Sequence, residues 1–533
     1  MRASASSLLA AAVALQGALA MPTPDSLGLS ARSSYSLDAR AVSSSLKTCL
    51  SNSGASLAYA SSGDAYTNEA KAENTNYAYK PAVIAQPSSV KQVAAVVKCV
   101  AADGGKTKIS PRGGGHGYAA YALGGADGFV VVDSSKLNTL SLDTNQKTVT
   151  VGMGMTLGPL AKAIGDQGYA LPHGTCPTVG TAGHSLGGGW GYSSRRWGWL
   201  MDHLVSLNYV DASGTVHHSV SQSSTGQDAD VWWAMRGGGS NNFGIVTSFT
   251  FALETAPAKA VNFVTTYNSN ADCAQALLAL QDLGLKQANA GGLPAELGGE
   301  LLIFGENSGQ DGACTFSGQY LGTKTDFQKA KKVLNDYLKN KGVTATSAKA
   351  DEFESWVDAL TNLMGDLDQP KVYEPYYAQS VMDDGTPGYT LDSANKIINA
   401  VQAAVGVEGT GNSVSFDLNG PVSATNGAMP HGDAAFSPHR NALFFSQIYS
   451  YGFPGFDKPD SQKAAYAKID AIQSAIRAAK PAGAWTSYVN YIDPRLKNFG
   501  QEYYSSSLNR LKSIKKSLDP QTIFDFPQGL AHA

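Results

Sequence analysis

Three triple-glycine runs, Gly113-Gly114-Gly115, Gly187-Gly188-Gly189 and Gly237-Gly238-Gly239, fall between positions 113 and 239. Glycine has no Cβ, so such runs leave the backbone bare and let its N–H groups approach an anion closely. A single run is explained by a tight turn. Three runs, with one isolated imidazole in "PRGGGHGY" (His116) and one isolated thiol in "HGTCPTVGTAGHSLGGGWG" (Cys176), disfavour turns alone and suit a diphosphate.

Neither standard nucleotide fingerprint stands in its required setting. "GGGHGYAAYALGG" lacks the Lys-Ser/Thr of a P-loop, and no GxGxxG opens a helix after a first strand with an acidic residue about twenty positions on. A nicotinamide-binding Rossmann domain is therefore disfavoured. The histidines form no HExxH or HxH arrangement and the cysteines no CxxC, which argues against a metal site. Taken by itself, His116 reads as a hydrogen-bonded turn residue.

The segments between the glycine runs alternate in type. "VKQVAAVVKCVAADGG" carries valines at helical spacing and stops at Gly104-Gly105, "GFVVVD" and "KTVTVGM" read as strands, and "TLGPLAKAIGDQGYAL" reads as a helix and turn. "LVSLNYVDASGTVHHSV" is two strand-like runs joined by Ala212-Ser213-Gly214, a hairpin. A helix ending at Gly237 and a strand from Gly244 complete an α+β domain spanning 42–258. Residues 259–470 form a second mixed domain, with a helix in "DFQKAKKVLNDYLKN" and strands in "SVSFDLNG" and "ALFFSQIYSYG". In the C-terminal segment, 471–533, "QEYYSSSLNRLKSIKKSLDP" reads as one amphipathic helix stopped by Pro520.

Residues 1–20 combine Arg2, an apolar stretch and Ala18-Leu19-Ala20, the pattern of a secretory signal peptide. Residues 21–41 are polar and aperiodic, a propeptide or disordered segment. A secreted, extracellular chain is expected, without a membrane span or an Asn-x-Ser/Thr glycosylation site. Lys and Arg number 40 against 43 Asp and Glu, with no basic stripe, so nucleic acid is not an expected partner. Five cysteines leave one unpaired in an exported protein. Cys49 with Cys99 and Cys273 with Cys314 are plausible pairs and Cys176 the odd one out, although three pairings of the other four remain open.

"PRGGGHGY", "HGTCPTVGTAGHSLGGGWG" and "YVNYIDPRL" together resemble the berberine bridge enzyme-like FAD-linked oxidases of the vanillyl-alcohol oxidase superfamily, and within it the fungal gluco-, chito- and xylo-oligosaccharide oxidases. The resemblance covers about residues 45–255 and 485–529. It implies a PCMH-type FAD-binding domain of two α/β subdomains, a substrate-binding domain with an antiparallel sheet covered by helices, and a C-terminal segment that returns to the FAD domain. It also implies bicovalent FAD, with His116 bonded to the flavin 8α carbon and Cys176 to C6, which would account for the bare imidazole and the odd thiol together. Arg112, Gly113, Gly114, Gly115, Gly117, Thr175, Val179, Gly180, Gly183, His184, Gly187, Gly188, Gly189, Gly244, Val246 and Asn490 are the further cofactor-binding residues it suggests.

For the chemistry the resemblance points to Tyr491, second tyrosine of "YVNY", as the base that takes the proton of a substrate O–H, and to Asp417 as its orienting partner and proton acceptor. Tyrosine near its ordinary pKa of about 10 is a poor base at neutral pH, so it needs activation. Tyr118 and Gln447 are candidate sugar contacts. The implied reaction is oxidation of an anomeric C1–OH to a lactone. Val179, three residues after the flavin-linked cysteine, goes with O2 as acceptor and hydrogen peroxide as product. One departure stands out: glucooligosaccharide oxidases carry an aromatic residue and a glutamine four and two positions before the aspartate, where this chain has Ser413 and Ser415. Without that stacking platform a phenolic or specialised-metabolite alcohol is the alternative substrate. A non-catalytic carbohydrate-binding protein on a flavin fold is the other competitor, and a monomer is expected in every case.

Overall fold

The computed structural model describes residues 42–239, 241–305, 312–407, 409–420 and 433–533. The expected signal peptide and the segment 21–41 lie outside the described residues. Among the described residues no helix is long and apolar enough to cross a membrane.

The first domain holds two sheets. β1 (Ser56–Ala58), β2 (Val83–Gln86), β3 (Ile109–Arg112) and β4 (Val130–Asp133) order as β1-β2-β4-β3, with β2, β4 and β3 parallel. Parallel neighbours need a crossover, and the helix Val90–Ala101 supplies it between β2 and β3. Its buried valines, Val93, Val96, Val97 and Val100, lie one helical face apart and pack on the sheet. β5 (Leu140–Asp143), β6 (Thr148–Gly152), β8 (Leu204–Val210), β9 (Val216–Val220) and β10 (Ile245–Ala252) form the second, antiparallel sheet; β7 (Tyr169–Ala170) and β11 (Glu254–Thr255) pair beside it. The hairpin expected at Ala212-Ser213-Gly214 joins β8 to β9.

The second domain is one seven-stranded antiparallel sheet. Its strands are β12 (Ala260–Tyr267), β13 (Leu297–Phe304), β14 (Cys314–Leu321), β15 (Ser347–Phe353), β16 (Tyr376–Asp383), β17 (Gly411–Leu418) and β18 (Phe444–Tyr451), ordered β15-β12-β14-β13-β17-β18-β16. Side chains alternate between the faces of a strand. Val414, Phe416 and Leu418 of β17 join a core with Leu277, Leu280, Ile397, Val401, Ile469 and Ile472 from the covering helices. Ser413, Ser415 and Asp417 must then point the other way, toward the first domain. The same alternation sends Phe445 and Gln447 of β18 and Glu300 of β13 to that inner face.

Two disulfides occur among the described residues, Cys49–Cys99 and Cys273–Cys314, as the sequence suggested; Cys176 is a free, exposed thiol. The C-terminal segment packs on the first domain: the Ile109 N–H donates to the Ile523 carbonyl (2.7 Å), and Leu511, Phe524 and Leu530 enter its core. The single amphipathic helix expected there is a correction. It breaks into Phe499–Tyr504, a short 3-10 turn Ser505–Ser507 and Leu508–Leu518. Ser505 sits at φ 47°, and the Tyr503 carbonyl, which would continue the helix ladder, bonds to His439 Nε2 (2.7 Å). Three consecutive serines give that turn little helical preference to resist with.

Candidate functional site

The glycine loops meet backbone to backbone. A Cβ built on Gly114 would stand 2.2 Å from the Gly180 nitrogen, so the loop after β3 and the start of the helix Thr181–Leu186 touch main chain to main chain. Gly114→Ala is therefore expected to cost about 1–3 kcal/mol through overpacking, read as a lowered denaturation midpoint; an unchanged midpoint would contradict the backbone contact. At Gly187 a Cβ would meet Asn490 Oδ1 at 2.0 Å, and the Asn490 amide donates to the His184 carbonyl and the Tyr488 hydroxyl, each at 3.0 Å. His184 Nε2 in turn accepts from the Gly174 N–H at 3.0 Å, pinning the Cys176 loop to the helix beneath it.

His116 and Cys176 come together on one hydroxyl. Thr178 Oγ1 lies 2.8 Å from His116 Nε2 and 3.6 Å from Cys176 Sγ. Burial, helped by the Lys371 cation, pushes the His116 pKa down to about 3, so the imidazole is neutral. Lys371 reaches this loop by donating to the Gly114 carbonyl. On the other side of the ring Glu73 Oε1 stands 3.9 Å from His116 Nδ1, while Glu73 Oε2 accepts from the Tyr376 hydroxyl at 2.6 Å.

Burial, reinforced by the Glu374 charge, raises the Glu73 carboxyl from 4.5 to about 7 against the opposing Tyr376 hydrogen bond and Lys371 charge. Between those values the native state binds more protons than the unfolded chain, so this group's contribution to stability falls as pH rises through the window. Glu73→Gln removes that titration. Its melting temperature relative to wild type should rise between about pH 5 and about pH 8; parallel curves would contradict the shift.

The inner face of the seven-stranded sheet supplies the opposite wall. The Tyr118 and Tyr491 rings stack, centroids 5.5 Å apart and 9° from parallel, and Tyr376 meets Tyr118 edge-on at 5.4 Å. Gln447 Nε2 donates to the Tyr118 hydroxyl. Asp417 is only 1% exposed and sits opposite Glu300 in the β13–β17 register, within hydrogen-bond reach of it. Glu300 also accepts from the Tyr192 hydroxyl at 2.9 Å. Burial and the neighbouring Glu300 charge raise the Asp417 carboxyl well above the ordinary carboxylate range. Asp417 Oδ1 and the Ser415 hydroxyl are buried with no hydrogen-bond partner. Burial, then the charge of Asp417, holds the Tyr491 phenol well above its ordinary value, so Tyr491 rests as a neutral phenol.

Other residues singled out in the sequence have partners within the protein. Arg112 spends its guanidinium on Asp133, on the Glu69 carbonyl and on the Glu69 carboxylate (2.8 Å). A Cβ on Gly244 would stand 2.6 Å from the Val210 carbonyl, and Val246 pairs with Tyr209 inside the five-stranded sheet. Conversely, Glu73, Thr178, Glu300, Lys371 and Tyr376 stand at the site without having been picked out. Thr178 lay inside the quoted cysteine motif; the other four had no local signal.

Bare glycine loops, a neutral imidazole and a free thiol sharing one hydroxyl, and two orphaned buried oxygens on the facing wall fit a flat ring system such as a flavin. Gly117 and Gly183 would meet nothing within 4 Å even with a Cβ, so the loops leave room beside His116 and above the helix. Residues 81–219 match the family model described as "FAD binding domain", and residues 487–531 the one described as "Berberine and berberine like". A xylooligosaccharide oxidase of Thermothelomyces thermophilus is 31% identical over 488 residues, covering 88% of this chain and 90% of the relative. The chain belongs to the berberine bridge enzyme-like family of FAD-linked oxidases. It is thus an FAD-dependent oxidoreductase acting on CH–OH donors. Among solved members of the family, Physcomitrella patens BBE-like 1 aligns with a TM-score of 0.79 at 31% identity, covering 92% of this chain and 99% of that one. A glucooligosaccharide oxidase from Acremonium strictum, described with a 6-S-cysteinyl, 8α-N1-histidyl FAD, aligns with a TM-score of 0.79 at 26% identity, covering 92% of this chain and 99% of that one.

Proposed function

We propose that this protein is a secreted oxidase that carries FAD linked to both His116 and Cys176 and oxidises the anomeric C1–OH of oligosaccharides to the lactone, reducing O2 to hydrogen peroxide. The observation that carries the reading is the shared Thr178 hydroxyl: it brings a neutral imidazole and the single free thiol to one point, across from the stacked Tyr118–Tyr491 pair. The oligosaccharide oxidases among its relatives support the sugar.

Bound FAD would supply the hydride acceptor for C1 and the route of the electrons to oxygen. The chain's part is proton transfer and placement. Tyr491, a neutral phenol at rest, takes the C1–OH proton at its oxygen only if its own proton leaves in the same event. Asp417, in the state in which it carries its negative charge, is the acceptor for it, and its raised proton affinity favours the transfer. A carboxylate of ordinary affinity would hold that proton less well. Tyr118, fixed by Gln447 and flat against Tyr491, provides an aromatic face for a sugar ring at the reacting end. Val179 beside Cys176 is small enough to leave oxygen a path to the ring.

Ser413 and Ser415 favour one second reading, a phenolic or specialised-metabolite alcohol, since this strand presents hydroxyls where an aromatic platform would stand. Peroxide release measured over xylo-, cello- and chito-oligosaccharides decides between them. Turnover of at least one series is expected; silence on every sugar with turnover of an aromatic alcohol would overturn the sugar reading.

A further inference from the structure

Two carboxyl groups that face each other away from water, with no cation between them, do not both stay ionised: they hold one proton between them. Asp417 of β17 and Glu300 of β13 stand opposite each other in the strand register, on the inner face of the seven-stranded sheet. Asp417 is buried, and among the described residues no cationic side chain acts on either group. The titratable groups around the pair are phenols. Tyr192 bonds to Glu300 Oε1 at 2.9 Å, while Tyr118, from the loop after β3, and Tyr488 and Tyr491, from the C-terminal segment, feel the charge of Asp417. The two carboxyls are not equivalent. Burial raises the proton affinity of both; the Tyr192 hydroxyl then favours ionised Glu300, and the Glu300 charge raises Asp417 further. The shared proton therefore rests on Asp417, which accepts from Tyr491 only once that proton has moved to Glu300 or left the pair.

We propose that Glu300 is a positioning residue for the oxidation: it shares one proton with Asp417 across the β13–β17 register and so sets the pH above which Asp417 is free to accept from Tyr491. This rests on the reading above, in which Asp417 ends the proton path from the substrate. The balance needs no further reactant. The C1–OH proton goes to the Tyr491 oxygen, the Tyr491 proton goes to Asp417, and the hydrogen on C1 leaves as hydride, with its two electrons, to the bound FAD. Tyr192 acts one step further out, since its hydrogen bond keeps Glu300 ionised and the shared proton on Asp417.

The test follows anaerobic flavin reduction of the holoenzyme by an oligosaccharide as a function of pH. In the wild type the rate should rise with pH as the pair gives up its proton. Glu300→Gln keeps the shape and removes the charge, so this acid limb should move down by about 1–3 pH units, with faster reduction below the wild-type limb. Tyr192→Phe, which lets Glu300 hold the proton better, should move activity the same way by less. A limb that stays in place or moves up in Glu300→Gln, or moves up in Tyr192→Phe, would overturn the inference. Infrared spectra read the pair without substrate: the wild-type minus Glu300→Gln difference, in which Glu73 and Glu374 cancel, should show a carboxyl still protonated above the ordinary carboxylate range. Its absence would contradict the shared proton. Failure of every oligosaccharide to reduce the wild-type flavin would instead remove the reading on which the role in oxidation rests, and the infrared difference would still decide whether the proton is shared.

Discussion

Tyr491→Phe is expected to slow flavin reduction by an oligosaccharide about 10²–10⁴-fold, the usual contribution of a positioned proton acceptor. The substitution removes one oxygen and leaves the ring, so stacking on Tyr118 and packing against Tyr488 (5.0 Å) survive. Covalent flavin should be unchanged, because His116 and Cys176 lie in other loops. The phenol's neutrality at rest is what makes the effect large. Burial and the charge of Asp417 hold Tyr491 as a neutral phenol, so the C1–OH proton reaches its oxygen only as the phenol's own proton passes on. Anaerobic stopped-flow absorbance of the flavin gives the rate; reduction at the wild-type rate would remove Tyr491 from the proton path.

The second large effect concerns cofactor retention. His116→Ala combined with Cys176→Ala should leave no flavin on acid-precipitated protein, whereas each single variant keeps one link and therefore its colour. The two side chains meet on Thr178 but come from separate loops, one following β3 and one preceding the helix Thr181–Leu186, so losing one does not unseat the other. Flavin retained by the double variant would mean a third attachment point. Flavin lost from a single variant would mean that one link serves alone.

Much of the scaffold was legible because its signals are local. The crossover helix Val90–Ala101, β4 and the β8–β9 hairpin follow from spacing and turn residues, and the two disulfides are the pairs that cysteine context made plausible among three possible pairings. His116, Cys176 and Tyr491 stood out because each sits in a contiguous motif. Glu73 and Lys371 did not, since what brings them to His116 is the meeting of segments far apart in the chain. Glu300 faces Asp417 only through the β13–β17 register, which no local pattern specifies. The break at Ser505 was hidden for a similar reason: its cause is His439, a residue from another part of the fold. Thr178 is the instructive case. It was in plain view two residues after Cys176, yet its place between the anchors depends on where the "PRGGGHGY" loop comes to rest.

The visible spectrum of the purified protein tests the central claim most directly. Oligosaccharide added without air should bleach an oxidised-flavin spectrum, and admitting O2 should restore it with release of one hydrogen peroxide per flavin. A colourless protein, or a flavin spectrum that no oligosaccharide bleaches, would contradict the account.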